Sequence, residues 1–228
     1  MPFIGNKPSA VPLTSADIAD GIITSAKIAD GSIVNADINA SAGIDSTKLS
    51  GITSDYVLLA TTDASSSASV SFDGYFSSTY KNYIVYWSEL YGATDASSLR
   101  IRLRKSNADI TGNVYNHIYY YLNLTLSTGS TTSAVGGTGR TNAARISDYD
   151  GDNNGTYRES GYVILQNANI SAYKNCTGVS HTFSSDTTIY NATFFNVIVE
   201  DSASLSGITF FRTSGNIAAG NFKLYGLK

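Results

Sequence analysis

Cysteine, histidine, methionine and proline are scarce in this chain of 228 residues, which holds one Cys, two His, one Met and three Pro. The single cysteine, Cys176, excludes an intrachain disulfide framework. Charge is scarce too, at 14% Asp, Glu, Lys and Arg where a soluble domain carries roughly a quarter. The balance is slightly acidic, a net charge of -3 and an isoelectric point near 5.2, so the basic face a nucleic-acid binder needs is missing. No apolar run approaches the roughly 18 residues that span a bilayer, which excludes helical membrane insertion. The opening MPFIGNKPSAVPL has no cationic stretch followed by an apolar one. The expectation is a chain without a secretory signal, made and assembled in a cytoplasm.

Catalytic signatures are missing as well. There is no Ser nucleophile elbow, phosphate loop or dinucleotide fingerprint. His117 and His181 have no Cys or carboxylate at ligand spacing, and Cys176 has no partnered base to activate it. His117 lies in the aromatic run Val114–Tyr121 and reads as a hydrogen-bonded strand histidine. The chain is therefore expected not to be an enzyme. Five Asn-x-Ser/Thr sequons, at Asn123, Asn154, Asn169, Asn175 and Asn191, are what a Ser/Thr-rich chain produces by chance and carry no weight.

What fills the gap is Ser, Thr, Gly, Asn and Tyr, with 20 Gly and 16 Tyr, residues that favour strands and tight turns over helices. They divide unevenly. Residues 1–55 hold one aromatic, Phe3, and a ten-residue repeat: Ala16-Asp17-Ile18-Ala19-Asp20-Gly21, then Ala26-Lys27-Ile28-Ala29-Asp30-Gly31, then Ala36-Asp37-Ile38. Ile18, Ile23, Ile28, Ile33 and Ile38 recur every five residues, which matches neither the helical nor the strand period. Ser15–Ile18 and Ser25–Ile28 read as single capped turns, each stopped by Asp-Gly. One isoleucine per five residues cannot bury enough surface in a lone chain to offset its conformational entropy. The repeat must therefore complete its core with parallel copies of itself or along a partner; the plainer alternative is a disordered linker.

From Tyr56 onward the pattern is short strands between turn clusters. The candidates are Tyr56–Thr61, Ala68–Phe72, Asn82–Leu90, Ser98–Arg104, His117–Leu126, Ser160–Gln166, Tyr190–Val199, Gly207–Arg212 and Asn221–Tyr225. Leu99, Ile101 and Leu103 alternate strictly with Arg100, Arg102 and Arg104, so one face is apolar and the other cationic. That Arg stripe reads as a solvated strand face, or one paired with acids of a neighbouring subunit. Asn82–Trp87 and Phe194–Val199 are more continuously apolar, as strands buried on both faces are. The expected fold is all-β: an antiparallel β-sandwich or jelly-roll head over 56–228, preceded by an extended repeat stem over 14–55.

Two further features bear on binding. Counting from Asp148, carboxylates at Asp148, Asp150, Asp152 and Glu159 fall at positions 1, 3, 5 and 12, the spacing of a calcium loop. Asn153 stands where such a loop turns on Gly, and strands rather than helices flank it. A polar surface loop is the favoured account, with calcium as the alternative and no other cofactor expected. Tyr75, Tyr80, Tyr83, Tyr86, Trp87, Tyr91 and Tyr119–Tyr121 exceed what one small core encloses. Subunit packing or sugar stacking would use them.

The C-terminal run Gly207-Ile-Thr-Phe-Phe-Arg-Thr-Ser-Gly-Asn-Ile-Ala-Ala-Gly-Asn-Phe-Lys-Leu-Tyr-Gly-Leu-Lys228 resembles the ending of tail-fibre and virion appendage proteins of tailed phages, especially marine and cyanobacterial ones. The likeness extends through Phe76–Tyr83 and Leu99–Arg104, and the Ala-Asp-Ile-x-Asp-Gly repeat is similar to segments of phage fibre stems. The resemblance implies a homotrimer anchored to a virion head or tail protein by its N-terminus, with a β-domain reaching a host surface glycan or protein. Residues 1–13 would be the docking segment, through Pro2, Phe3, Ile4, Val11 and Leu13. Ile18, Ile23, Ile28, Ile33 and Ile38 would line the trimeric stem. A capsid decoration or tail-assembly protein without a receptor role, and a glycan depolymerase, are the competing expectations.

Overall fold

The computed structural model describes residues 14–45, 48, 55–147, 153, 155–184 and 189–228. The chain divides into two units, Met1–Thr53 and Ser54–Lys228. The proposed docking residues Pro2, Phe3, Ile4, Val11 and Leu13 lie outside the described residues.

In the first unit every hydrogen bond described is local. Single 3-10 turns at Ser15–Asp17, Ser25–Lys27 and Asn35–Asp37 mark the repeat. Backbone bonds close them, from Asp17 N to Thr14 O at 3.0 Å, Lys27 N to Thr24 O at 2.9 Å and Asp37 N to Val34 O at 2.9 Å. The Asp17 and Asp37 carboxylates accept the amides of Thr14 and Val34 at 2.8 and 2.9 Å, which occupies donors that a helical start leaves open. A second turn follows, closed by Ile22 N to Ala19 O at 3.2 Å. Gly21 takes its third position at φ 78, and Gly31 repeats it at φ 75; a type II turn needs this conformation there. Ile18, Ile28 and Ile38 cap the 3-10 turns in extended conformation, with their side chains in solvent.

The second unit is all-β. Among the described residues its strands are β1 (Tyr56–Ser67), β2 (Ser69–Asp73), β3 (Asn82–Gly92), β4 (Leu99–Lys105), β5 (Ala108–Asp109), β6 (Tyr115–Thr125), β7 (Ser130–Thr141), β8 (Ala144–Arg145), β9 (Glu159–Gln166), β10 (Lys174–Ser184), β11 (Ile189–Val199), β12 (Gly207–Arg212) and β13 (Ile217–Leu227). All pairings are antiparallel, and they nest: β1 with β13, β2 with β12, β3 with β9, and β4 with β5 and β8. Successive pairs alternate between two sheets. The hairpins β6–β7 and β10–β11 then widen one of them, giving the eight-stranded order β1-β13-β3-β9-β10-β11-β6-β7 against β2-β12-β4-β5, with β8 beside β4. The two sheets form a sandwich.

Alternation decides which side chains meet between them. Leu99, Ile101 and Leu103 of β4 and Ile208 and Phe210 of β12 are buried from the smaller sheet. Tyr83, Val85 and Trp87 of β3, Phe222 and Leu224 of β13, and Val163 and Leu165 of β9 are buried from the larger. Phe210 bridges the layers, 5.1 Å from Phe222 and 5.9 Å from Trp87 between ring centres. Gly161 of β9 leaves the space Trp87 occupies, since a Cβ there would collide with the indole and with the Val179 carbonyl.

Candidate functional site

The larger sheet has a second face, turned away from the core. Along β11 the residues Asn191, Thr193, Phe195, Val197 and Val199 point inward, so Tyr190, Phe194 and Ile198 point outward and are exposed. The register carries this parity across the sheet. Phe194 stands opposite Tyr120 of β6, which stands opposite Val135 of β7. On the other side Phe194 pairs Val179 of β10, which pairs Tyr162 of β9, which pairs Tyr86 of β3. From β9 to β7 the outward positions hold few titratable groups beside the tyrosines: His181 on β10, and Arg140 at the far end of β7, which is paired with Glu200 at 3.0 Å. A concavity of about 440 Å³ crosses these strands, lined by Tyr162, Ile164, Val179, Phe194, Tyr120 and Val135 among others. Tyr86 clusters with Tyr162 and Tyr225 beside it, each ring pair 5.9 Å apart. Burial, then the neighbouring Tyr56, Tyr162 and Tyr225, raises the Tyr86 phenol above its ordinary value.

Strands β3 and β11 were expected to be covered on both faces: β3 is so at Tyr83–Val85, where Ile84 is buried on the outward side, but its Tyr86 and the Phe194 and Ile198 of β11 are exposed. The sandwich supplies a single opposing layer, and among the described residues of this unit none forms a second layer over the outer face of the wider sheet.

The inner face turns polar toward the middle of the larger sheet. Arg212 of β12 crosses to Glu159 of β9, with Nη2 donating to Oε2 at 2.9 Å, and both side chains are buried. Ser180 also donates to Glu159 at 3.2 Å, and Arg212 Nη1 donates to Ser97 O at 2.7 Å. Burial pushes the Glu159 carboxyl up, against the downward pull of Arg212 and the Ser180 and Ser147 hydroxyls. His117 is buried nearby, and its pKa is lowered to about 4 by desolvation and then by Arg100 and Arg145. The neutral imidazole stacks on Tyr119, over which Arg145 lies at 4.7 Å. The hydrogen bond expected for His117 is missing at Nδ1, which has no partner among the described residues.

The other residues singled out by sequence fall as follows. Asp148, Asp150 and Asp152 lie outside the described residues. Glu159, the expected twelfth ligand of that loop, opens β9 with inward parity and gives its carboxylate to Arg212, Ser180 and Ser147. Among the described residues no group of three or more His, Cys, Asp or Glu could hold a metal ion. The Arg stripe finds its acids within its own chain. Arg104 meets Asp73 at 2.9 Å and Asp109 at 2.6 Å, and Arg102 lies over the Phe211 ring at 4.4 Å. Cys176 is buried and its thiol is pushed up to about 12 by desolvation, so it is held protonated. Of the tyrosines, Tyr83 is enclosed in the core, whereas Tyr75, Tyr86 and Tyr120 are exposed.

Sequence reasoning missed Ile118, Val135 and the outward half of β11. The signal was present in the uninterrupted apolar run Phe194–Val199, which called for two covering layers. Compared with protein families, with curated proteins and with solved structures, the chain matches none.

Proposed function

We propose that the protein is a structural fibre or spike of a tailed-phage virion, assembled in the host cytoplasm. Residues 1–13 dock to a head or tail protein, residues 14–55 form a homotrimeric stem, and residues 56–228 present a head for host attachment. One observation carries this reading. Ile18, Ile23, Ile28, Ile33 and Ile38 are each 40–55% exposed in a segment whose hydrogen bonds are all local. A regularly spaced apolar series that the described residues of its own unit leave exposed is what a parallel assembly would bury about its axis. The nested pairing of β1–β13, β2–β12, β3–β9 and β4–β5 supports a jelly-roll head, an architecture common among capsid proteins. Attachment would then be multivalent, with weak contacts from several heads adding to avidity.

Sedimentation equilibrium of the full chain is expected to return three times 24.2 kDa. A monomer at micromolar concentration would remove the trimeric stem. Excess purified protein is expected to block virion adsorption to host cells. Unchanged adsorption would reject the attachment role and leave an assembly one.

A further inference from the structure

The outer face of the eight-stranded sheet is the largest feature that the fibre reading leaves unused. We infer that it is a second, independent self-association surface, which packs the head of one chain against the heads of other copies of the same chain. The inference deepens the homotrimer reading, and rests on it only for the number of copies.

Three observations select the occupant. The first is area. Val135 is 78% exposed, Ile118 63%, Ile198 47%, Phe194 44%, Tyr86 41% and Tyr120 40%. With aromatic side chains carrying about 150–250 Å² each, these six with Leu122 and Tyr190 leave on the order of 700 Å² of apolar surface in water. The largest patch on an ordinary monomer is about 300–600 Å², and a standard interface takes about 800 Å² from each partner. The face is therefore the size of one side of a stable interface.

The second is chemistry. A sugar site needs convergent polar groups around its aromatic platform, because each hydroxyl it desolvates must be paired. Here the most exposed positions are aliphatic, and the polar side chains lining the concavity beyond the tyrosines are Thr177 and Asn196. Among the described residues the only exposed charges along β9 to β7, Arg140 and its neighbour Glu200, sit at the end of β7 and neutralise each other, which equally disfavours a charged partner. A surface with no net charge is complementary to itself, and charge depletion with aromatic enrichment is the composition of interface cores.

The third is the strand pattern. β11 is apolar on both faces, the signature of a strand with a layer on each side, and its outward Tyr190, Phe194 and Ile198 are exposed, as is Tyr86 of β3. The missing layer is the size of the face just described. Tyr86, exposed and 5.9 Å from the lining residue Tyr162, borders the concavity, so each copy carries both a recess and an exposed aromatic ring beside it. A head-to-tail contact of this kind forms a ring where its rotation closes.

Four full-length proteins test this: wild type, a stem variant (Ile23→Ser with Ile33→Ser), a face variant (Ile118→Lys with Val135→Lys) and their combination. Ile118 and Val135 are the most solvent-exposed positions of the face, so lysine there leaves the isolated head folded; far-ultraviolet circular dichroism checks this. The stem variant is expected to keep concentration-dependent association by sedimentation. The combination should raise its dissociation constant at least about 30-fold, since each charge must be desolvated in the contact. A stem variant that is folded and monomeric at every concentration overturns the inference while leaving the trimeric stem standing. Association that the lysine pair does not weaken overturns it too. If instead the stem variant equals wild type and only the face variant dissociates, the face stands and the stem reading fails. Radical footprinting of unmodified wild type supplies a readout without mutation. Tyr120 and Phe194 should be shielded at high concentration and labelled on dilution. Labelling that ignores dilution and falls only when a host polysaccharide is added would make the occupant a glycan and end the proposal.

Discussion

Glu159 and Arg212 face each other across the gap between the sheets, and both have left water entirely. A buried pair is weak evidence of stabilisation, because removing two charges from water costs several kcal/mol each, but breaking one strands the other. Glu159→Gln is accordingly expected to destabilise the head by about 3–5 kcal/mol in chemical denaturation. Glu159→Leu combined with Arg212→Met should lie within about 2 kcal/mol of wild type, because neither charge is then left unpaired. A single variant no worse than the double would show that the pair is not closed to solvent. His117 poses the opposite problem, a base kept neutral. Its pKa is about 4 in the fold and about 6.5 in an unfolded chain, so the unfolded state takes up the proton first as pH falls. The stabilisation is complete above about pH 6.5 and is lost progressively as pH drops toward 4. Between pH 7 and pH 5 the wild type should lose about 2 kcal/mol more than His117→Asn, which cannot titrate. Parallel denaturation curves for the two proteins across that interval would remove His117 as the source. Neither residue's role was legible in sequence. Glu159 was read with a local loop by its spacing, whereas its real partner lies 53 positions along the chain. The inward parity of the Arg stripe's neighbours was legible, but its acids, Asp73 and Asp109, are brought in by strand pairing.

At the scale of elements, local signals were readable and long-range ones were not. The 3-10 turns of the repeat and the Gly turns after them depend on bonds spanning three residues, so Ser-Ala-Asp and Asp-Gly suffice to place them. Strands with dense apolar or aromatic content, such as β3, β4, β11, β12 and β13, announced themselves in the same way. β7, with the sequence Ser-Thr-Thr-Ser-Ala-Val-Gly-Gly-Thr-Gly-Arg-Thr, and β10, with Lys-Asn-Cys-Thr-Gly-Val-Ser-His-Thr-Phe-Ser, did not. Both are made by pairing rather than by propensity. β7 is held by β6 alone, as the last strand of its sheet. β10 is built to be thin on its inner side, where Cys176, Gly178 and Ser180 alternate. A Cβ at Gly178 would strike the Tyr162 carbonyl and the Phe195 ring. Small residues there let β9 and β11 approach, and the same smallness hides the strand from a hydrophobicity pattern. Missing these two strands also concealed the widened sheet, and with it the outer face, since its parity is visible only once β9 through β7 are in register.

At the scale of the whole molecule, the question is what would hold several copies together. Each chain carries a net charge of -3, so bringing copies together costs some repulsion rather than gaining attraction. Arg104 pairs with Asp73 and Asp109, Lys105 with Asp201, Arg140 with Glu200 and Arg158 with Glu89, so these charges are already matched. The surfaces proposed for contact are isoleucines in the stem and an aromatic and aliphatic face in the head. Association of this kind is driven by removing apolar area from water, which salt does not screen. Raising NaCl from about 0.05 M to about 1 M shortens the screening length from over 10 Å to about 3 Å. An interface held by charge would weaken steeply over that range; here the association constant should hold steady or rise a few-fold as the repulsion between like-charged chains is screened. Sulfate at equal ionic strength should strengthen it further, because it is excluded from apolar surface. Sedimentation velocity across the series reads this directly. A tenfold fall in association between low and high NaCl would mean that charged groups, and not these two apolar surfaces, join the copies.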